Sequence, residues 1–512
     1  MGGLCESHRM SIDPRTPVLV GLAQSVDRTS EPGQGLSPQD MMAAVARAAI
    51  ADSGATGVEA AIDCVTVVRL FQDSGFGAPF GQQNNLPWSV ARRIGADPKR
   101  MLYGPVGGNS PQMLVNHFAE LITQGANDVV LLTGCEPLRT QARAQKAGLK
   151  LDWAEEAPQP AEQWPDKTRY ATPHEMQHGI ALPVNIYPLF ENALGAHYGR
   201  DPVSHRKAIG QLMARFTEVA AANPYAQLPV ARTADEIITP EGDNRYIGYP
   251  YTKYLNANMF VDQAAALLLM STEAADRLGV PAGKRVYLHG NADTHEKILV
   301  SERVNYHSSP AVRIGAAHAL KQAGITPADL AHMDIYSCFS SAVEIAADEI
   351  GIAQDDPRGL TLTGGLPYFG GPGNNYSMHG IAEVAARCRA NPGSFGLVFA
   401  NGGYLTKHSF GVWSTTPKAY ARTDPAGYQA GIDAMPSPAF TEKPEGEGSI
   451  ETFTVVHMKG EPAFALLIGR QADGTRFLAQ IHDNPGSLID VPVIGRKVRV
   501  TPTDTVNIAT LI

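Results

Sequence analysis

Residues 110–134, SPQMLVNHFAELITQGANDVVLLTG, and residues 376–403, YSMHGIAEVAARCRANPGSFGLVFANGG, decide the fold. Each begins after a glycine-rich turn, runs through a helix and leads into a buried apolar strand that ends in glycine. A second pair, AVARAAIADSGAT at 44–56 and AAHALKQAGIT at 316–326, repeats the style of a helix stopped by Gly. The same elements in the same order, once in each half, predict a duplicated α/β unit. Two independent strand–helix–strand units would also look broadly alike, so it is the order of elements that favours duplication.

The remaining elements fall around this repeat. Val18–Ala23 reads as a first strand. A helix opens at Ser37 with Pro38 in its first position and Met41, Met42, Val45 and Ala49 on one face. Ile62–Leu70 reads as a buried strand, Met101–Tyr103 as another that runs into the loop Gly104–Gly108, and Ala264–Met270 as an unbroken apolar strand. Between Cys135 and Met259 the composition changes to Trp153, Trp164, many prolines and polar turns, with a helix expected over Ala208–Ala221. This stretch reads as an insertion over the core. Thr423–Glu447 is rich in Pro, Gly and charge and reads as a linker. Short strands without helices follow at Ile450–His457, Ala463–Arg470, Arg476–His482 and Lys497–Val500, the pattern of a small β-barrel of OB size. The expected division is 1–134 with 260–284, the insertion 135–259, the second half 285–422, and linker plus barrel 423–512.

Composition narrows the function. A chain of 512 residues, 44% hydrophobic, needs two or three domains. A net charge of −9 argues against a general nucleic-acid or anionic-membrane binder. No apolar run reaches eighteen residues, so no bilayer span is expected. Met1–Thr16 is polar, without an apolar signal core, and reads as a frayed tail. The five cysteines are scattered, with no CxxC pair, as expected of reduced thiols in the cytoplasm rather than of disulfides or zinc. Neither a GxGxxG after a strand nor a Walker loop is present, which leaves nucleotide redox and ATP chemistry without support.

Several motifs carry a resemblance. DIYSCFS (Asp334–Ser340) resembles the HDCF strand-to-helix turn of the sterol carrier protein X type thiolases, and the apolar helix Ala342–Ile350 after it matches as well. Gly364-Gly365-Leu366 with Gly370-Gly371-Pro372 resembles the thiolase GG…GHP loop. ANGG (Ala400–Gly403) resembles the CxG segment, and VDQAAA (Val261–Ala266) the DGAAA strand that closes the loop domain. These motifs lie in the family order across about residues 16–417. GPGNNYSMH (Gly371–His379) and LTKH (Leu405–His408) resemble actinobacterial thiolase-like proteins, often named acetyl-CoA acetyltransferases. The tail resembles their accompanying OB-fold domain, without its usual zinc-ribbon cysteines, so no metal is expected. The resemblance implies the duplicated five-layer αβαβα thiolase fold with an inserted loop domain and a C-terminal OB-like β-barrel. It also implies an acyl-CoA thioester as substrate or ligand and no other cofactor. A homodimer through the core is implied, or a monomer if insertion and tail block that interface.

In thiolases the nucleophilic cysteine starts the central helix of the first half, where the helix dipole and free N–H groups activate a thiol. The matching turn here, Val106–Ser110, has no cysteine. The GHP histidine position falls on Gly371 and the CxG cysteine position on Ala400. Cys338 is the retained catalytic-type residue, or a small buried thiol. His379 is a replacement base or a packed helix histidine, and His408 reaches the same pocket or stays in the core. Asn109 and Ser110 occupy the nucleophile turn, where Ser110 also reads as a simple helix cap. Tyr336, Gly370, Gly371, Asn374, Asn375, Asn401 and Gly402 complete the expected acyl-CoA-binding set. Two functions fit. One is a thiolase-like enzyme of lipid or sterol metabolism, an acyltransferase or retro-aldol carbon–carbon lyase working without the cysteine. The other is a non-catalytic acyl-CoA- or lipid-binding or scaffold protein.

Overall fold

The computed structural model describes residues 12–166, 168–421 and 424–512; Cys5 and most of the expected N-terminal tail lie outside the described residues. The first half runs β1 (Pro17–Val26), α1 (Pro38–Asp52), β2 (Cys64–Val67), β3 (Arg100–Tyr103), α2 (Ser110–Thr123) and β4 (Val129–Pro137). The insertion contributes α3 (Pro183–His197) and α4 (Pro202–Ala222), after which β5 (Asp262–Ser271) completes the first sheet. The second half runs β6 (Val286–His295), α5 (Pro310–Ala323), β7 (Leu330–Ile335), α6 (Ser340–Ile350), α7 (Tyr376–Ala390), β8 (Phe395–Gly402) and β9 (Lys407–Ser414).

Strand order shows the duplication directly. The first half is ordered β3-β2-β4-β5-β1 and the second β7-β8-β9-β6. In each, a parallel pair (β2 with β4, β7 with β8) is followed by two antiparallel pairings. The halves join where Val18 and Leu19 pair with Tyr287 and Val286. Among the described residues no strand pairs β7 on the side where β3 pairs β2, and the outward N–H of Ile335 donates to the carbonyl of Leu360 at 2.9 Å.

Period two sorts the layers. Along β5, Ala265, Leu267 and Leu269 face the central helices, whereas Ala264, Ala266, Leu268 and Met270 face α1. The central layer is α2 beside α7, with Leu114, Val115 and Phe118 in one core with Met378, Ile381 and Ala385. Because both faces of β5 are covered, all ten of its residues are buried and its sequence is continuously apolar from Ala264 to Met270.

Several expectations shift. The strand expected over Ile62–Leu70 pairs only across Cys64–Val67, beyond which the chain turns into a short 3-10 helix, Phe71–Ser74. The helix expected at Ala208 begins at Pro202, because Asp201 caps it by accepting from the N–H groups of Val203 and Ser204. The linker is not featureless. It carries α8 (Pro425–Asp433), and the strand N–H groups of Asp293 and His295 donate to its Tyr428 hydroxyl and Gln429 Oε1, at 3.0 and 2.9 Å.

The tail is a closed five-strand barrel of β10 (Gly446–Met458), β11 (Glu461–Gln471), β12 (Arg476–Ile481), β13 (Lys497–Thr501) and β14 (Ile508–Leu511), with β10 pairing β11 to close the ring. The closing strand β14 was not legible in the sequence. The barrel is not loosely tethered. Arg476 is fully buried and donates to the carbonyls of Ser301 (2.8 Å), Arg303 and Val304 in the core, while Glu451 accepts two of its N–H groups. Tyr306 lies under its guanidinium, 4.8 Å away.

Arg476→Ala removes one partner of a buried ion pair and strands core carbonyls without donors. Glu451 keeps Arg470 as a second partner, so the expected loss is near the low end of the usual range, about 3 kcal/mol. Urea unfolding reads this directly, and proteolysis should begin to cut within 434–445. An unchanged midpoint with an uncut linker would show that Arg476 does not dock the barrel.

Candidate functional site

The starts of α2 and α7 meet at the centre of the molecule. Asn374 Oδ1 accepts from the N–H of Gly107 at 2.8 Å, and Ser377 Oγ donates to the carbonyl of Gly108 at 2.7 Å. Neither helix has a side-chain cap: Asn109 and Asn375 occupy the cap positions in helical conformation and make no capping bond. Buried helix starts left this way present their positive dipole ends to the space between them. The side-chain oxygens of Asn109, Asn375 and Asn401 are buried there without a partner, a surplus of polar capacity of the kind that marks a site rather than a core.

The nucleophile turn itself is packed shut. A methyl group built on Gly108 would lie 2.0 Å from the Tyr336 hydroxyl and 2.6 Å from the Asn401 carbonyl. One built on Gly107, whose φ is +141°, would lie 3.3 Å from the Lys407 ammonium. Lys407 Nζ donates to the carbonyl of Val106 at 2.7 Å and pairs with Asp166 at 3.3 Å. Burial lowers its pKa and Asp166 opposes that shift. Thus the space in front of the turn is held by Lys407, Tyr336 and the β8 backbone.

The expected residues separate into two groups. Asn109, Ser110, Tyr336, Asn374, Asn375, Asn401 and Gly402 gather at the helix starts, with Cys338 beside them, 3.9 Å from Asn401 Nδ2. Ser110 is not the cap; it is the first helical residue and its hydroxyl donates to the Pro105 carbonyl at 3.1 Å. Gly370 and Gly371 pack instead on the strand that returns from the insertion, against Gln263 and Asn258. Burial pushes the Cys338 thiol up to about 12, so it holds its proton. Burial pushes His379 down to about 3, and its Nδ1 meets Gln24 Oε1 at 2.8 Å. The expectation of a base titrating near neutrality at His379 is therefore corrected: full burial disfavours the charged form, and the imidazole stays neutral.

His408 is displaced by strand parity. On β9, Lys407 and Ser409 face the turn, Ser409 accepting from Asn109 Nδ2 at 3.2 Å. His408 points to the opposite face, stacked on Phe399 with ring centres 5.6 Å apart. Burial lowers its pKa, and Arg303 adds to the shift. The residue that the sequence reading missed is its neighbour, Lys407.

Two buried acids were also missed. Burial raises Glu136 to about 8; its Oε1 accepts from the Phe71 N–H at 2.8 Å and lies against Gly373, just before the Asn374–Asn375 turn. Asp334, raised by burial to about 6, accepts from the hydroxyls of Thr361 and Thr363 and from two backbone N–H groups. Thr363 in turn meets the Tyr376 hydroxyl at 2.6 Å, so this carboxyl fixes the first residue of α7. A hydrophobic strand followed by an acid, as in TGCE, was the available signal.

Glu191, His205 and Glu344 form the one cluster of metal-ligand types among the described residues. Its hydrogen bonds account for it with protons instead. Arg200, which can only donate, faces His205 Nδ1 at 3.4 Å. His205 Nε2 therefore carries the proton and donates to Glu191 at 2.7 Å. Tyr251 and Ser340 also donate to Glu191, at 2.6 and 2.5 Å. Burial would raise Glu191, but these donors hold it low; burial and the Glu191 charge beside it raise Glu344 well above the usual carboxylate range.

The fold and the site define a thiolase-superfamily protein, and the comparisons agree. The model of the thiolase-like protein type 1 additional C-terminal domain matches residues 428–505. A monomeric SCP2-thiolase-like protein type 1 of known structure from Mycobacterium smegmatis is 40% identical, with 98% of this chain and 100% of that chain covered and a TM-score of 0.85. An acetyl-CoA acetyltransferase of Methanothermobacter thermautotrophicus is 23% identical over 38% of this chain and 48% of its own length. Acetyl-CoA acetyltransferase A of Xenopus laevis mitochondria is 28% identical over 36% and 44%. The chain thus spans about half the length of these curated relatives. It belongs to the SCP2-thiolase-like protein type 1 family.

Two outcomes follow from the packing. Gly108→Ala should destabilise the protein by about 1–3 kcal/mol or more, because the Asn401 carbonyl cannot step aside as a side chain could; a wild-type melting temperature would refute the packed turn. The raised pKa of Glu344 means the fold binds a proton that the unfolded chain releases once pH passes the ordinary carboxylate range. Its stabilisation is complete below that range and fades as pH climbs toward the folded value. Glu344→Gln should remove this slope and be at least as stable as wild type at pH 7. A marked loss there would show Glu344 to be ionised and needed as a charge.

Proposed function

We propose that the protein binds an acyl-CoA thioester where the starts of α2 and α7 meet, and that it forms no acyl-enzyme. The observation that carries this reading is the nucleophile turn Val106–Ser110, which has no thiol and is fronted by Lys407, Tyr336 and Asn401. A thioester carbonyl would find two helix dipoles and uncapped N–H groups there. It gains that position only when the Tyr336 side chain swings off Gly108.

Chemistry beyond binding lacks its parts. Carbon–carbon bond formation by a thiolase needs a thiolate and a base. Here Cys338 is held as a thiol, His379 is neutral and enclosed, and His408 faces away. Burial raises the pKa of Tyr336 and Tyr376 well above the phenolic range, so they would donate protons and not abstract them, which disfavours a tyrosinate-driven retro-aldol cleavage.

Isothermal titration with acetyl-CoA and longer acyl-CoA esters, followed by intact-protein mass spectrometry and product analysis, tests this. Saturable binding with unmodified protein and unconsumed ester is expected. An acyl adduct on Cys338, or turnover of any ester, would overturn the non-catalytic reading. Absence of binding at millimolar ester would overturn the binding one.

A further inference from the structure

At the outer edge of β7, where the second half lacks a counterpart to β3, lies a cavity of about 460 Å³. Three elements bring basic groups to it: Arg215 from α4, His332 from β7 and Arg387 from α7, with Arg358 from the following loop. Glu218, exposed at the rim, is the one carboxylate in its lining.

These cations are not equally engaged. Arg358 is consumed: it grips Asp356 with two nitrogens at 2.9 and 2.7 Å and gives its third to the carbonyls of Pro327 and Leu330. Arg215 reaches the carbonyls of Gln354 and Asp356 at 3.5 and 2.7 Å, which leaves other N–H groups of its fork. The Arg387 guanidinium meets no hydrogen-bond or ion-pair partner among the described residues. His332 Nε2 is buried without a partner. Burial lowers the His332 pKa and the nearby Arg387 charge lowers it further. An exposed guanidinium and a buried imidazole nitrogen thus line the cavity without a partner among the described residues.

We propose that this cavity binds a small anion of the phosphate class, held by Arg387, Arg215 and His332. Guanidinium forks match phosphate oxygens two at a time. The volume exceeds a bare phosphate and lies in the range of small-ligand pockets, which leaves room for an organic body on the phosphate group. Arg387 lies eleven residues beyond Tyr376 on α7, about 16 Å along the axis, so this site is separate from the one at the helix starts and does not rest on the thioester reading. Arg387 also complements the negative end of α7, a role that needs no ligand and that the test must separate.

Calorimetric titration at low ionic strength with pyrophosphate and with adenosine 5′-monophosphate, on wild type, Arg387→Ala and Arg215→Met, makes that separation. Saturable one-to-one binding is expected, weakened about tenfold or more in each variant, the scale of losing a hydrogen bond to a charged group. Tighter binding of the nucleotide assigns a phosphate ester, and tighter binding of pyrophosphate an inorganic anion; either supports the site. Because Arg387 ties down no other described residue beyond its helix-end role, its variant should melt close to wild type. Equal affinity of Arg387→Ala and wild type, or no saturable binding of either probe, would overturn the proposal.

Discussion

Everything near the candidate site depends on two helix starts being pressed together at the centre of a five-layer molecule. Asn374 and Ser377 at the head of α7 bond the backbone of Gly107 and Gly108 at the head of α2. The two glycines in turn let Tyr336, Asn401 and Lys407 close on the same turn, where a side chain would stand in their way. The duplication places the helices side by side, and the sheets on either side close them off from water.

Burial then decides the chemistry. A charged form is costly where neither water nor a counter-ion is at hand. The same enclosure therefore pushes Cys338 toward the thiol, His379 toward the neutral imidazole and the tyrosines toward the phenol. Lys407 is pushed the same way, with Asp166 beside it opposing the shift. What remains at the helix starts is an environment of dipoles and amide groups.

The periphery is held by buried charges that are paired. Arg476 nails the barrel to the loop at 301–304, and the Glu191–His205–Arg200 chain ties α3 and α4 to the first turn of α6 through Ser340. Such groups are expensive to bury and costly to break, so they fix how insertion, core and barrel sit on one another. A short strand of the insertion, Tyr246–Gly248, pairs with β10 and continues that coupling through the backbone.

The sequence by itself determined the duplication, the order of strands and helices, the insertion and the barrel, because hydrophobic periodicity and glycine stops are local signals. It also determined the absence of a cysteine from the nucleophile turn, and it named most residues that gather there. Its misses have a common cause. Lys407 and His408 are adjacent letters, and only the pairing of β9 with its neighbours decides which one faces the turn. His379 sits on the right helix, yet its proton affinity depends on what encloses it. Glu136 and Asp334 became visible as buried acids only once loops distant in sequence closed over them. Arg476, Glu344 and the basic cavity at the edge of β7 are meetings of segments scores of residues apart. Register, facing and enclosure arise from long-range packing, which local patterns constrain but do not encode.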